Sequence, residues 1–218
     1  MRRPYGVVVC SSWGVDADRA QRIMPDLALG MARLGGVAML FHYPGYGDSS
    51  GSGASSTIAT LAADARSAAR EAAARHPGMS WIMAGLFLGG SVAAVASRDT
   101  DTRHLVLLQP ALEPADYVRE VIRKARRRPL GIGDTDETAF GYPIPAGLLD
   151  EGAASDVAAS LDEFQGRVVV IRYAEPEPAD ALPASFETVT VPGEWRIGRR
   201  GCPELVPPTL DWIDRVTQ

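Results

Sequence analysis

The chain has 218 residues, 46% of them hydrophobic and 22% charged, with a formal net charge of −5. Those values suit one globular domain with a sizeable core, and they argue against a disordered chain and against nucleic acid or an anionic membrane surface as partner. Cys10 and Cys202 are the only cysteines, without disulfide-framework or metal-ligand spacing, so a reducing, cytoplasmic setting is expected, with no metal and no other cofactor.

In chain order, Gly6 to Cys10 is a short β-branched run that reads as a buried parallel strand. Ser11, Ser12, Trp13 and Gly14 form a loop, and Asp18 can cap a helix running to about Leu34. Its apolar positions Ile23, Leu27, Met31 and Leu34 recur at helical spacing. Val37 to Phe41 is a second strand, followed by a glycine-rich turn from His42 to Gly51. A helix from about Thr57 to Ala74 takes Ser55 or Ser56 as its cap and ends at His76-Pro77.

Trp81 to Ala94 then changes from an apolar strand to a small-residue helix through Gly85-Leu86-Phe87-Leu88-Gly89. This is the outline of a nucleophile elbow, G-x-S-x-G, with Phe87 at the serine position. The tip of such a turn is forced to positive φ, and strand and helix pass too close for Cβ atoms at the glycines. The surrounding Pro77 to Ser97 carries no charge, but its glycines and its change of composition fit strand, turn and helix rather than a membrane span.

His104 to Leu108 is the next strand, and Glu113 to about Arg128 a basic amphipathic helix. Pro129 to about Gln165 reads as irregular and polar, so a lid insertion is expected over roughly 113–165. Val168 to Arg172 and Phe186 to Val191 are the last strands, and Pro203 to Val216 a closing helix with Trp212 on its apolar face. Strands alternating with helices predict an α/β fold: a mostly parallel sheet of about six strands, helices on both faces, and ligands beyond the strands' carboxyl ends.

Three landmarks carry a resemblance: Cys10 to Gly14, Phe41 to Gly51, and Gly85 to Gly89. In this order and spacing they resemble serine-aminopeptidase-like α/β-hydrolases, and among these the exosortase A system-associated hydrolase-like proteins. Gly141 to Pro145 and Val191 to Trp195 look like the same group. The resemblance implies one α/β-hydrolase-like domain over residues 1–218, matched from the third strand of the full fold onward. His42 departs from it, standing where that group often has an aspartate.

The hydrolase triad runs Ser, then Asp or Glu, then His. Here Phe87 fills the nucleophile position, Glu175 is the acid substitute, and Gly193-Glu194-Trp195 fills the base position; no histidine follows His104. The Leu88 amide and an amide of the Ser11–Trp13 loop could still polarise a carbonyl. His42 is the candidate acid–base group, with bracing of the glycine-rich loop as its alternative; Glu194 is the second candidate. Ser11, Ser12, Trp13, Phe87, Leu88, Gln109 and Trp195 are the candidate pocket walls. Cys10 and Ser12 are alternative nucleophiles, His104 lies at the wrong end of the sheet, and His76 only complements a helix end.

The basic run Arg119, Arg123, Lys124, Arg126, Arg127 and Arg128 reads as a solvated lid face, with a binding surface for a phosphate or an acyl-carrier protein as the alternative. The expected function is a non-hydrolytic biosynthetic enzyme that dehydrates, isomerises or cyclises a small acyl or polyketide-like intermediate, free or carrier-bound. The alternatives are a non-catalytic pseudo-hydrolase that binds a ligand or protein, and an esterase or thioesterase acting through Cys10 or Ser12.

Overall fold

The computed structural model describes residues 4–127, 137–175, 182–183, 185–194 and 202–218. Strands β1 (Tyr5–Cys10), β2 (Val37–Leu40), β3 (Ser80–Leu86) and β4 (Thr102–Leu108) alternate with helices α1 (Val15–Arg33), α2 (Ile58–Arg75), α3 (Leu88–Ser97) and α4 (Pro114–Arg127). A two-residue hairpin follows, β5 (Thr138–Ala139) and β6 (Tyr142–Pro143), then α5 (Gly152–Glu163), β7 (Arg167–Glu175), β8 (Glu187–Glu194) and α6 (Val206–Val216). The main sheet has six strands in the order β2-β1-β3-β4-β7-β8, all parallel.

Alternation along each strand divides the core into two layers. Val7 and Val9 of β1 join Ile23, Leu27 and Met31 of α1 and Trp212 and Ile213 of α6 on one face. Val8 and Cys10 point the other way, into a layer with Leu61 and Ala65 of α2, Val92 of α3, Val118 of α4 and Val157 and Leu161 of α5. The chain steps from β1 out to β2 and then back past β1 to β3, so the strand order reverses between β1 and β3. A crevice at the carboxyl edge belongs at that point.

Three expectations are corrected. Helix α1 begins at Val15 with Gly14 as its N-cap, at φ 62°, so Asp18 sits in the first turn rather than at the cap. Helix α2 is capped by Thr57, whose hydroxyl accepts from the Thr60 amide at 3.0 Å while Thr60 Oγ1 accepts from the Thr57 amide at 2.9 Å. This reciprocal box outcompetes a lone serine upstream. The stretch read as irregular carries α5, whose buried Ala153, Val157 and Leu161 recur every four residues against the core. No described helix is long and apolar enough to cross a membrane.

Candidate functional site

Phe87 lies on the bend between β3 and α3 with φ 52° and ψ −118°, as the G-x-x-x-G pattern requires. The glycines are fixed by close approach rather than by their own φ. A Cβ on Gly85 would lie 2.1 Å from the Gly89 carbonyl oxygen, and one on Gly89 would lie 2.3 and 2.4 Å from the Cys10 and Ser11 carbonyl oxygens. The first turn of α3 is thus seated directly on the end of β1. The Phe87 amide donates to the Leu108 carbonyl at 2.9 Å, and its own carbonyl accepts from Gly90 at 2.9 Å and Ala111 at 3.0 Å.

The benzyl side chain is 0% exposed and belongs to the core layer under α1 and α6. Leu88, 1% exposed, packs into the opposite layer. Both were expected as pocket walls, and both are instead core. The tip of the elbow bears no nucleophilic atom. Leu88 is the first residue of α3, so its amide is one of the orphan donors of a helix start.

A small cavity of about 120 Å³ lies one strand away, at the carboxyl ends of β1 and β2. Ser11, Ser12, His42, Tyr46 and Tyr142 line it, with Asp18 and Gln21. At about 30 Å³ per water, it has room for about four water molecules. Trp13 does not line it and is 2% exposed in the core. Gln109, at φ 44°, accepts from the Tyr173 amide at 2.9 Å through its side-chain oxygen and so braces β4 against β7. The side chain of Glu194 and the whole of Trp195 lie outside the described residues.

His42 lies where both of its expected readings would place it, against the glycine-rich turn and on the cavity wall. Its carbonyl accepts from Ser49 Oγ at 2.9 Å, and a Cβ on Gly47 would fall 2.3 Å from its Nδ1, so the ring lies against the glycine-rich turn. The imidazole is also exposed and lines the cavity. His76 caps the end of α2, and His104 lies at the amino end of β4, away from the cavity. Cys10 is fully buried and burial pushes its thiol up to about 12, which makes it inert as a nucleophile at neutral pH.

Residues distant in sequence complete the site. The Tyr117 hydroxyl, on α4, donates to Asp16, a carboxylate on α1 that is 0% exposed. Ser12 Oγ lies 3.5 Å from the Tyr117 hydroxyl oxygen. Because the Tyr117 proton is directed at Asp16, Ser12 is the donor in that pair. Tyr142, on β6, donates to Asp18, and its ring stacks on Tyr46 with centroids 6.4 Å apart and planes 9° from parallel. Burial pushes the Tyr46 phenol up to about 12 against a hydrogen bond from the Gly14 backbone. Burial first, and then the Asp18 carboxylate, raises the Tyr142 phenol as well. Both rings are neutral walls at neutral pH.

No protein-family model matches the chain, and no curated protein matches it. Solved structures do. One reported with LipS and LipT, two metagenome-derived lipolytic enzymes, is 16% identical at TM-score 0.63, over 99% of this chain and 95% of that one. Est1E from Butyrivibrio proteoclasticus with ferulic acid bound is 18% identical at TM-score 0.63, over 99% of this chain and 87% of its own. XC6422 from Xanthomonas campestris, described as an α/β serine hydrolase without a lid, is 16% identical at TM-score 0.57, over 100% and 81%. At such identities the likeness concerns the fold. With its six parallel strands, helices on both faces and glycine-flanked bend after β3, the chain has the α/β-hydrolase fold.

Proposed function

We propose that the protein is a small-acyl esterase or thioesterase whose reacting hydroxyl is Ser12 instead of an elbow serine, the usual Ser-His-Asp set having been given up. The observation that carries this reading is the chain from Ser12 through Tyr117 to the buried carboxylate of Asp16, beside a cavity that also holds His42. The direction of its hydrogen bonds parallels a triad: a hydroxyl donates to a middle group, which donates to a carboxylate.

In the acylation step Ser12 Oγ bonds to the acyl carbon. Its proton passes to Tyr117 as the Tyr117 proton passes to Asp16, and the imidazolium of His42 protonates the leaving alcohol or thiol. Water then attacks the acyl-serine and gives a proton to His42, while the departing Ser12 oxygen recovers its own through Tyr117 from Asp16. The Leu88 amide, beside the Ser11 turn at the reversal of strand order, is the candidate donor for the oxyanion. The motif resemblance to exosortase-associated hydrolase-like proteins is compatible with an acyl substrate, free or on a carrier protein.

Incubation with p-nitrophenyl acetate and a fluorophosphonate probe, with mass-spectrometric mapping, tests this. The expected result is a covalent adduct on Ser12 that is lost with Ser12→Ala, together with ester turnover that His42→Ala reduces. A second reading is supported by the buried Phe87, which removes the elbow from hydrolysis: a non-covalent dehydration, isomerisation or cyclisation with His42 as the acid–base group. Turnover that survives Ser12→Ala and fails with His42→Ala would select it over the first.

A further inference from the structure

A large cavity lies at the opposite edge of the sheet from Ser12. It has a volume of about 920 Å³ and runs along the amino ends of β1, β3, β4 and β7, four strands that are neighbours in the sheet, and on to the end of α6. Its volume falls within the roughly 300–1,000 Å³ typical of small-molecule sites.

Its charge is specific. Arg103 and Arg167 line it, and neither makes an ion pair among the described residues. His104 is in register with Arg167 on the neighbouring strand, so the two share one face about 4.8 Å apart along the sheet. Asp101 is the one carboxylate side chain among the described residues that line the cavity. The carbonyl end of α6 adds about half a negative charge.

Two buried polar atoms under this end of the sheet lack partners. Tyr5 is 3% exposed, and its hydroxyl has no hydrogen-bond partner. His104 Nδ1 is likewise buried without one, its ring edge-on to Trp212 at 5.8 Å. Folded proteins seldom leave such atoms unsatisfied. Two arginines without ion pairs among the described residues, on neighbouring strands at one open cavity, describe a receptor for an oxyanion.

We propose that this amino-edge cavity binds a small organic dianion, a phosphomonoester or a dicarboxylate, held by Arg103 and Arg167 beside His104. Arginine suits both oxyanions because its planar donors reach two oxygens at once. Burial lowers the His104 pKa, with Arg167 and then Arg103 adding to the effect. An anion that neutralises the two guanidiniums raises it again, so binding is coupled to proton uptake at this imidazole. The other charged groups facing this corner are Asp101 and Glu187, the latter held by Trp212 Nε1 at 2.9 Å and by Arg215 at 2.5 Å.

The experiment is an NMR titration of the imidazole Cε1–H signals of the full chain at pH 6.5 with inorganic phosphate, succinate and sodium chloride at matched ionic strength. His104 is assigned by the loss of its signal in His104→Gln. The expected result is a saturable shift of the His104 signal with phosphate, succinate or both, and at least a tenfold weaker affinity in Arg103→Gln/Arg167→Gln. Both arginines are exposed, so the double variant is expected to fold. Saturation by phosphate alone identifies the phosphomonoester, and saturation by both anions identifies carboxylates as sufficient. A shift that sodium chloride reproduces, or a double variant that binds like the wild type, overturns the proposal. Ser12→Ala leaves the titration unchanged, which separates this site from the ester chemistry at the other edge.

Discussion

Phe87 occupies a backbone conformation that costs a bulky residue about 1–3 kcal/mol. Full burial of its ring contributes about 1.5–3 kcal/mol, enough to offset that strain. The side chain is therefore a core element that happens to sit on the hydrolase bend. Phe87→Ser should not create a nucleophile, because the side chain at this position enters the core layer under α1 and α6 and does not line the cavity that His42 lines. It should instead lower stability by about 3–5 kcal/mol, the usual range for emptying a buried aromatic site. Denaturant titration measures the loss, and probe labelling at position 87 would contradict the argument. The carboxylate behind Tyr117 is tested separately. Asp16→Asn keeps the shape but removes the proton acceptor, so kcat for ester turnover should fall by about 10²–10⁴ with little change in KM. A preserved kcat would show that Asp16 only anchors Tyr117.

Helix α3 is held against β1 by contacts that a single methyl group would break. Gly89→Ala gains about 1 kcal/mol of helix propensity, but its Cβ meets two backbone carbonyl oxygens that cannot swing aside. The helix must move off β1, at a net cost of about 1–3 kcal/mol. A thermal melt of this variant tests the contact, and a Tm at or above that of the wild type would disprove it. This junction was legible in the sequence because its glycines are spaced by a local backbone requirement, and the same is true of the sheet strands. Helix α5 was not legible. It opens at a glycine without a side-chain cap, and alanines fill much of its length, so its buried positions stand out only against the core it covers. The site was half legible. Ser11, Ser12 and His42 follow strand ends and could be found by counting strands, whereas Tyr117 and Tyr142 reach Asp16 and Asp18 across 101 and 124 residues of chain, with no local pattern to announce the pairing.

Across the whole molecule, the two sheet edges have opposite characters. The carboxyl edge gathers hydroxyls, phenols and acids around a small cavity, and the amino edge gathers arginines and a histidine around a large one. The amino edge makes global stability depend on pH. His104 has a lowered pKa in the folded chain, so between that value and the unfolded value of about 6.5 the unfolded state holds more protons at this residue. Stability must therefore rise with pH in that window. The contribution of His104 is fully present above about 6.5 and is lost as the pH falls toward the folded pKa. Glu187 is shifted downward by its bonds to Trp212 and Arg215 despite its burial, and it acts in the same direction but below the ordinary glutamate range. The two are separable by pH. Urea midpoints measured from pH 7.5 to 5 should fall for the wild type and stay nearly level for His104→Gln over the upper part of that range. Adding phosphate should flatten the wild-type profile toward low pH if the amino-edge cavity holds an anion, because the bound form takes up the proton that the empty fold resists.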